Sequence, residues 1–248
     1  MRAAKRPRMQ RMVSSLSTRT KMNELALFTG VGGGLLGTHF LGLTPVCAVE
    51  RDEHRRFVLA QRQNDGHLPR FPIWDDVCTF KGSRWRGTID LVSGGFPCQA
   101  FSTAARGRNT AADLWPEMAR VVREVRPAYV FAENVTRAAI ERAACDCAAM
   151  GYKAEMLTLG AADLGADHVR ERHWLLAYAD DKGKLRRHIN AKVAECPEFH
   201  EGVWQAVPWR TGMDDGVAGR MDRYEATGNG QVSIVAAAAL WALAHADC

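Results

Sequence analysis

Short apolar runs that break into a glycine or an acid, separated by stretches of helical spacing, constrain this chain more than any other feature. Glu24–Phe28, Pro45–Val49, Ile89–Val92, Ala128–Ala132, Tyr152–Leu159 and His173–Ala177 read as strands, and Pro72–Val77 as a candidate third strand ending in acids. Between them, Leu35–Leu41, Phe57–Arg62, Trp115–Val125 and Val135–Ala149 read as helices, and Val232–Ala244 as a last one. Apolar runs bounded by turn signals are what strands look like when both sheet faces are covered. Alternation with helices supplies the crossovers that parallel strands need, so the expected fold is α/β, a doubly wound and mostly parallel sheet. At 248 residues and 47% hydrophobic, the chain can bury one sizeable core and carry a small extra lobe.

In such a sheet, ligands bind outside the carboxyl ends of the strands. The first strand runs into Thr29-Gly30-Val31-Gly32-Gly33-Gly34 and then a helix, a geometry that brings backbone amides against a polar or anionic group. Glu50 follows the second strand, 20 residues after Gly30, where an acid can hold two ribose hydroxyls. Gly32, Gly34 and Gly37 satisfy GxGxxG formally, a pattern that a packing turn also produces. The strand at Ile89–Val92 breaks into Gly94-Gly95 and a Phe-Pro pair that presents Cys98; the next strand ends in Glu133-Asn134-Val135. A thiolate can add to an electron-poor ring carbon while a nearby carboxylic acid draws charge from a ring nitrogen. With a nucleoside cofactor across the crevice, that pair suits alkyl transfer to a pyrimidine.

Charge and cysteine usage set outer bounds. Residues 1–21 hold Arg2, Lys5, Arg6, Arg8, Arg11, Arg19 and Lys21 and no acid, and removing these seven from the formal +5 leaves −2 for the rest. A basic arm suits a polyanion such as DNA. The composition fits equally a solvated, disordered tail, or a start placed upstream of Met22. Seven cysteines without a CxxC pair argue against a zinc site and for a reduced, cytoplasmic chain. No apolar run is long enough to cross a bilayer, and the basic N-terminus has no apolar segment after it, so neither a membrane nor a secretory signal is expected.

Five blocks in order resemble the DNA (cytosine-5) methyltransferases that use S-adenosylmethionine. They are Phe28-Thr29-Gly30-Val31-Gly32-Gly33, Gly95-Phe96-Pro97-Cys98-Gln99-Ala100-Phe101-Ser102, Glu133-Asn134-Val135, Arg170-Glu171-Arg172 and Gly228-Asn229-Gly230-Gln231-Val232, spread over about 200 residues. The resemblance implies that Cys98 attacks C6 of cytosine, Glu133 engages N3 and the amino group, and Arg172 the O2 side, with Arg170 beside it and Asn134 bracing the loop. It implies that S-adenosylmethionine is wrapped at its methionine end by Phe28, Gly30, Gly32 and Gly33. Glu50 would meet its ribose and Asp76 its adenine, with Val77, Pro97, Asn229 and Val232 completing the cofactor site. Gln99, Ser102, Arg106 and Arg108 would touch DNA, whose target base must be flipped out of the stack. The implied partner is double-stranded DNA, bound by a monomer without a metal, with a cognate restriction endonuclease in the same system.

The chain also departs from that pattern. Ala26 stands where the first block usually has an acid, and His168 where the arginine block usually opens with glutamine. Only about 55 residues separate the arginine block from the last one, so the chain resembles small phage or prophage members. The expected organisation is a basic tail (1–21), a catalytic body (22–178 plus 216–248) and a reduced target-recognition lobe (179–215) carrying Trp204 and Trp209. An RNA cytosine-5 methyltransferase uses the same ring chemistry, a DNA-binding regulator would keep the fold without it, and a nicotinamide dehydrogenase would leave the Pro-Cys-Gln and Glu-Asn-Val blocks unexplained.

Overall fold

The computed structural model describes residues 21–97, 113–166, 169–197 and 231–246. The strands are β1 (Asn23–Leu27), β2 (Thr44–Val49), β3 (Ile73–Trp74), β4 (Leu91–Gly95), β5 (Tyr129–Asn134), β6 (Lys153–Leu159) and β7 (Arg172–Tyr178). They form one sheet in the order β3-β2-β1-β4-β5-β7-β6. Strands β1 to β5 pair in parallel, and β7 runs antiparallel between β5 and β6. Strand order reverses between β1 and β4, the switch point at which crossovers leave to opposite faces and open a crevice.

The helices are α1 (Gly33–Phe40), α2 (Glu53–Asn64), α3 (Trp115–Val125), α4 (Arg137–Ala149), α5 (Gly183–Asn190) and α6 (Ser233–His245). Because successive side chains on a strand point to opposite faces, each strand feeds two cores. Leu25, Leu27, Val92, Val130, Ala132 and Leu175 pack under α3 and α4, against Met118, Val122 and Ile140. On the other face Leu91, Tyr129, Phe131, Trp174 and Leu176 pack against Leu185, Ile189, Val235 and Leu240 of α5 and α6. Ala26 and Ala48 share that second face, under Leu35 and Leu59 of α1 and α2.

Three expectations need correction. The third strand shrinks to Ile73–Trp74, because Asp76 accepts from the Cys78 amide at 2.9 Å and turns the chain. Helix α4 starts at Arg137, not Val135, since the Asn134 side chain accepts from the Thr136 amide at 3.0 Å and holds a turn there. Residues 183–190, assigned to the extra lobe, are α5 of the main body: Leu185 and Ile189 are fully buried. Next to α5, buried Lys182 donates to Glu155 at 2.7 Å and to the carbonyls of Leu243 and Ala246 at the end of α6. Lys184 pairs with Asp90 at 2.9 Å. The tail (residues 1–20) and residues 198–230, with Trp204 and Trp209, lie outside the described residues. Among the described residues no helix is long and apolar enough to cross a membrane.

Candidate active site

The period-two rule places the site. Glu133 on β5 has the parity of Tyr129 and Phe131, and Arg172 on β7 that of Trp174 and Leu176, so both face the side of α5 and α6. Because β7 is antiparallel, its first residue lies at the same sheet edge as the last residues of β5. The Arg172 Nε accordingly lies 3.0 Å from Glu133 Oε1. The other carboxylate oxygen, Oε2, accepts from Gln231 Nε2 at 3.2 Å. Arg170 precedes β7 and so does not share a strand face with Arg172; it still acts on Glu133 electrostatically. Burial holds Arg170 below its ordinary pKa, assisted by repulsion from Arg172 and opposed by Glu133.

Burial also raises the Glu133 carboxyl, and it outweighs the Gln231 hydrogen bond and the two guanidiniums that pull the other way. A carboxyl raised by burial and oriented on both oxygens is a better proton or hydrogen-bond donor than an ordinary surface carboxylate. Gly95, paired in register with Glu133, leaves the room: a Cβ there would lie 2.6 Å from Glu133 Oε2 and 2.9 Å from Gln231 Nε2. Asn134 donates to the Phe96 carbonyl at 2.8 Å, and the Leu114 amide donates to the Pro97 carbonyl at 3.2 Å. These bonds hold Phe96 and Pro97, which precede Cys98 in the chain, to β5 and to Leu114. Cys98, Gln99, Ser102, Arg106, Arg108, His168 and Asn229 themselves lie outside the described residues.

On the other side of the switch point, the β1–α1 turn is held open by backbone geometry. Gly32 caps α1 with φ +87°, and Phe28 takes φ +52°, a conformation few side chains adopt outside functional turns. Glu50, at the tip of β2, accepts from the Gly30 amide at 2.6 Å and the Asp52 amide at 2.9 Å. Each of its oxygens keeps a second lone pair for a hydroxyl. A cavity lined by Phe28, Gly30, Gly34, Gly95, Glu133 and Gln231 joins this turn to the catalytic edge. Asp76 and Glu50 lie outside its lining; the Val77 side chain is buried in the core under α3, and Val232 caps α6. Among the described residues no three His, Cys, Asp or Glu side chains converge on a metal position.

Two lining features escape motif reading. Gln231 came only as part of the last block, yet its amide spans from Gly34 to Glu133; the partner is 98 residues away in sequence. The cavity also reaches Thr38 and Ser93, whose hydroxyls both donate to the buried Glu24.

Strand order and the switch-point cavity with its edge carboxylate are those of the Rossmann-like methyltransferase fold. A DNA modification methyltransferase encoded within an Escherichia coli prophage superposes with TM-score 0.51 at 27% identity, covering 64% of this chain and 47% of that one. The Schizosaccharomyces pombe Dnmt2 methyltransferase shares the fold with TM-score 0.51 at 21% identity, over 66% and 52%. The family model of the C-5 cytosine-specific DNA methylases matches residues 22–207, and the chain belongs to that family. The Type II methyltransferase M.Eco47II of E. coli is 36% identical over 114 residues, 45% of this chain and 26% of the relative. M.NgoMIV of Neisseria gonorrhoeae is 29% identical over 171 residues, 65% and 53%. The chain thus spans about a quarter to a half of the length of the relatives it matches.

Proposed function

We propose that the chain is a DNA (cytosine-5) methyltransferase that acts on a cytosine flipped out of double-stranded DNA. The observation that carries the reading is Glu133, buried at the sheet edge with Arg172 on one oxygen and Gln231 on the other, on the strand next to the one leading into Cys98. S-adenosylmethionine, when bound, supplies a methyl group made electrophilic by its sulfonium. The residues present fit it: left-handed Gly30 and Gly32 open the turn, Glu50 stands at the strand tip, and Gly30 and Glu133 line one cavity.

The thiolate of Cys98 adds to C6 of the ring, and the C5–C6 electron pair becomes available at C5. Glu133 donates its proton or hydrogen bond at N3 and so takes up the charge that builds there. Arg172 holds Glu133 in register and reaches the O2 side, while Asn134 ties Phe96, two residues before Cys98, to β5. After methylation at C5 the ring loses its C5 proton, and the C6–S bond breaks to return the thiolate. Gln99, Ser102, Arg106 and Arg108 serve the displaced strand and phosphates. With α5 part of the main body, base-specific contacts fall to residues 191–215, so a short target site is expected. Relatives named Type II methyltransferases support a cognate restriction endonuclease as partner.

Bisulfite sequencing of DNA from cells expressing the chain, beside a Cys98→Ser control, tests the reading. Methylated cytosines in one short context, absent in the control, are expected. Equal signal in both, or none in either, overturns it.

A further inference from the structure

Among the described residues, Glu24 is the one fully buried carboxylate that the proposed reaction does not use. It lies on β1 two residues before Ala26, hence on the same sheet face, beneath α1. Its Oε2 accepts from the Thr38 hydroxyl of α1 at 2.6 Å, and its Oε1 from the Ser93 hydroxyl of β4 at 2.5 Å. Thr38 and Ser93 both line the cavity that runs from Gly30 to Glu133, and Ala26 lines it between them. A hydroxyl that donates to a carboxylate turns its lone pairs the other way and becomes a stronger acceptor. The floor of the cavity is therefore two hydroxyl oxygens set over one buried carboxyl, and ionising that carboxyl polarises both.

This floor has a place in the cofactor geometry, and the argument rests on the cofactor reading above. With the ribose at Glu50 and the methyl directed to a base at Glu133, the third arm of the sulfur, the amino-acid arm, falls to the part of the cavity between the Gly30 turn and the floor. We propose that Glu24, acting through the Thr38 and Ser93 hydroxyls, is the counter-charge that recognises the ammonium group of the cofactor's amino-acid arm. Burial is what makes the arrangement selective for a cation. It pushes the Glu24 carboxyl up to about 7, against the two hydroxyl bonds, and no charged side chain is among the causes of the shift. An ammonium above the floor supplies the missing positive charge, so ionised Glu24 and bound cofactor stabilise each other.

The test is calorimetric binding of S-adenosylhomocysteine and its desamino analogue, which lacks only the ammonium, to the full chain and to Glu24→Gln. Glutamine removes the charge and still bonds both hydroxyls, accepting from one and donating to the other. The full chain should prefer the amino ligand by about tenfold, the worth of one charge-assisted hydrogen bond, and E24Q should bind both alike. The same ratio in E24Q as in the full chain, or no preference in the full chain, overturns the role of Glu24 and leaves the cofactor reading standing. No binding of either ligand to the full chain overturns the cofactor reading and the role of Glu24 with it. If E24Q does not fold, Thr38→Val and Ser93→Ala make the same comparison, with the preference again expected to disappear.

Discussion

Glu133 and Glu24 lie on the same face of the sheet, one at the edge of β5 and the other inside β1, with β4 between them. Both are stripped of water, and burial raises both carboxyls. Their neighbours differ. Glu133 has a guanidinium at 3.0 Å, a second cation nearby and an amide, all of which favour its ionised form. Glu24 has two neutral hydroxyls and rises to about 7. An edge carboxylate flanked by cations is held in one orientation and still reaches the cavity; a floor carboxylate without them acts at one remove through the hydroxyls it polarises. The sheet thus carries two acids with different tasks, distinguished by what packs around them and not by residue type.

The largest effect should come from Glu133→Gln. Glutamine can keep the bond from Arg172, and Gln231 can turn its amide to accept from the new NH2, but glutamine cannot give a proton to the ring, so single-turnover methylation should fall by about 10²–10⁴-fold. Binding of S-adenosylhomocysteine should be unchanged. A loss smaller than about tenfold would remove Glu133 from the chemistry and with it the contrast between the two acids.

Why Glu133 was legible and Glu24 was not is a matter of what each needs from the fold. Tyr129–Ala132 is an apolar run that ends in an acid, so the strand end and its functional residue are visible together. Helix α3 was placed with its bounds, Trp115–Val125, because its apolar stripe recurs at helical spacing. Glu24 looks like an ordinary surface acid at the start of a strand; only the close approach of Thr38 and Ser93, 14 and 69 residues away, makes it a buried one. Helix α5 was hidden by Lys184, Arg186 and Arg187, which mask the i, i+4 pair Leu185 and Ile189 that reaches the core. Gln231 depends on a tertiary contact that glycines 34 and 95 make possible, and local sequence carries no sign of it.

Gln231→Met, nearly equal in volume but without the donor, sharpens the edge half of the comparison. Methylation should fall roughly tenfold to a hundredfold, since Glu133 Oε2 loses a hydrogen bond in a buried place. That hydrogen bond favours the ionised carboxylate, so its loss raises the Glu133 pKa and keeps the acid protonated to higher pH. The alkaline limb of the pH–rate profile should therefore move up. A purely structural role for Gln231 would lower the rate equally at every pH, and a profile scaled without a shift would show that.

The smallest effect tests the floor. In the folded chain the Glu24 carboxyl sits near 7, against 4.5 for the ordinary group, so between those values the native state holds a proton that the unfolded state has released. The stability this contributes is fully present below about 4.5 and is lost as pH rises through 7. Urea denaturation at pH 5 and pH 8 should show the full chain losing about 2 kcal/mol more than E24Q across that range, because glutamine has no proton to lose. Glu133 and other groups tilt both curves alike, and the difference between them isolates Glu24. A difference that stays flat would mean that water reaches Glu24 in the folded chain, and the two acids would then differ in position alone.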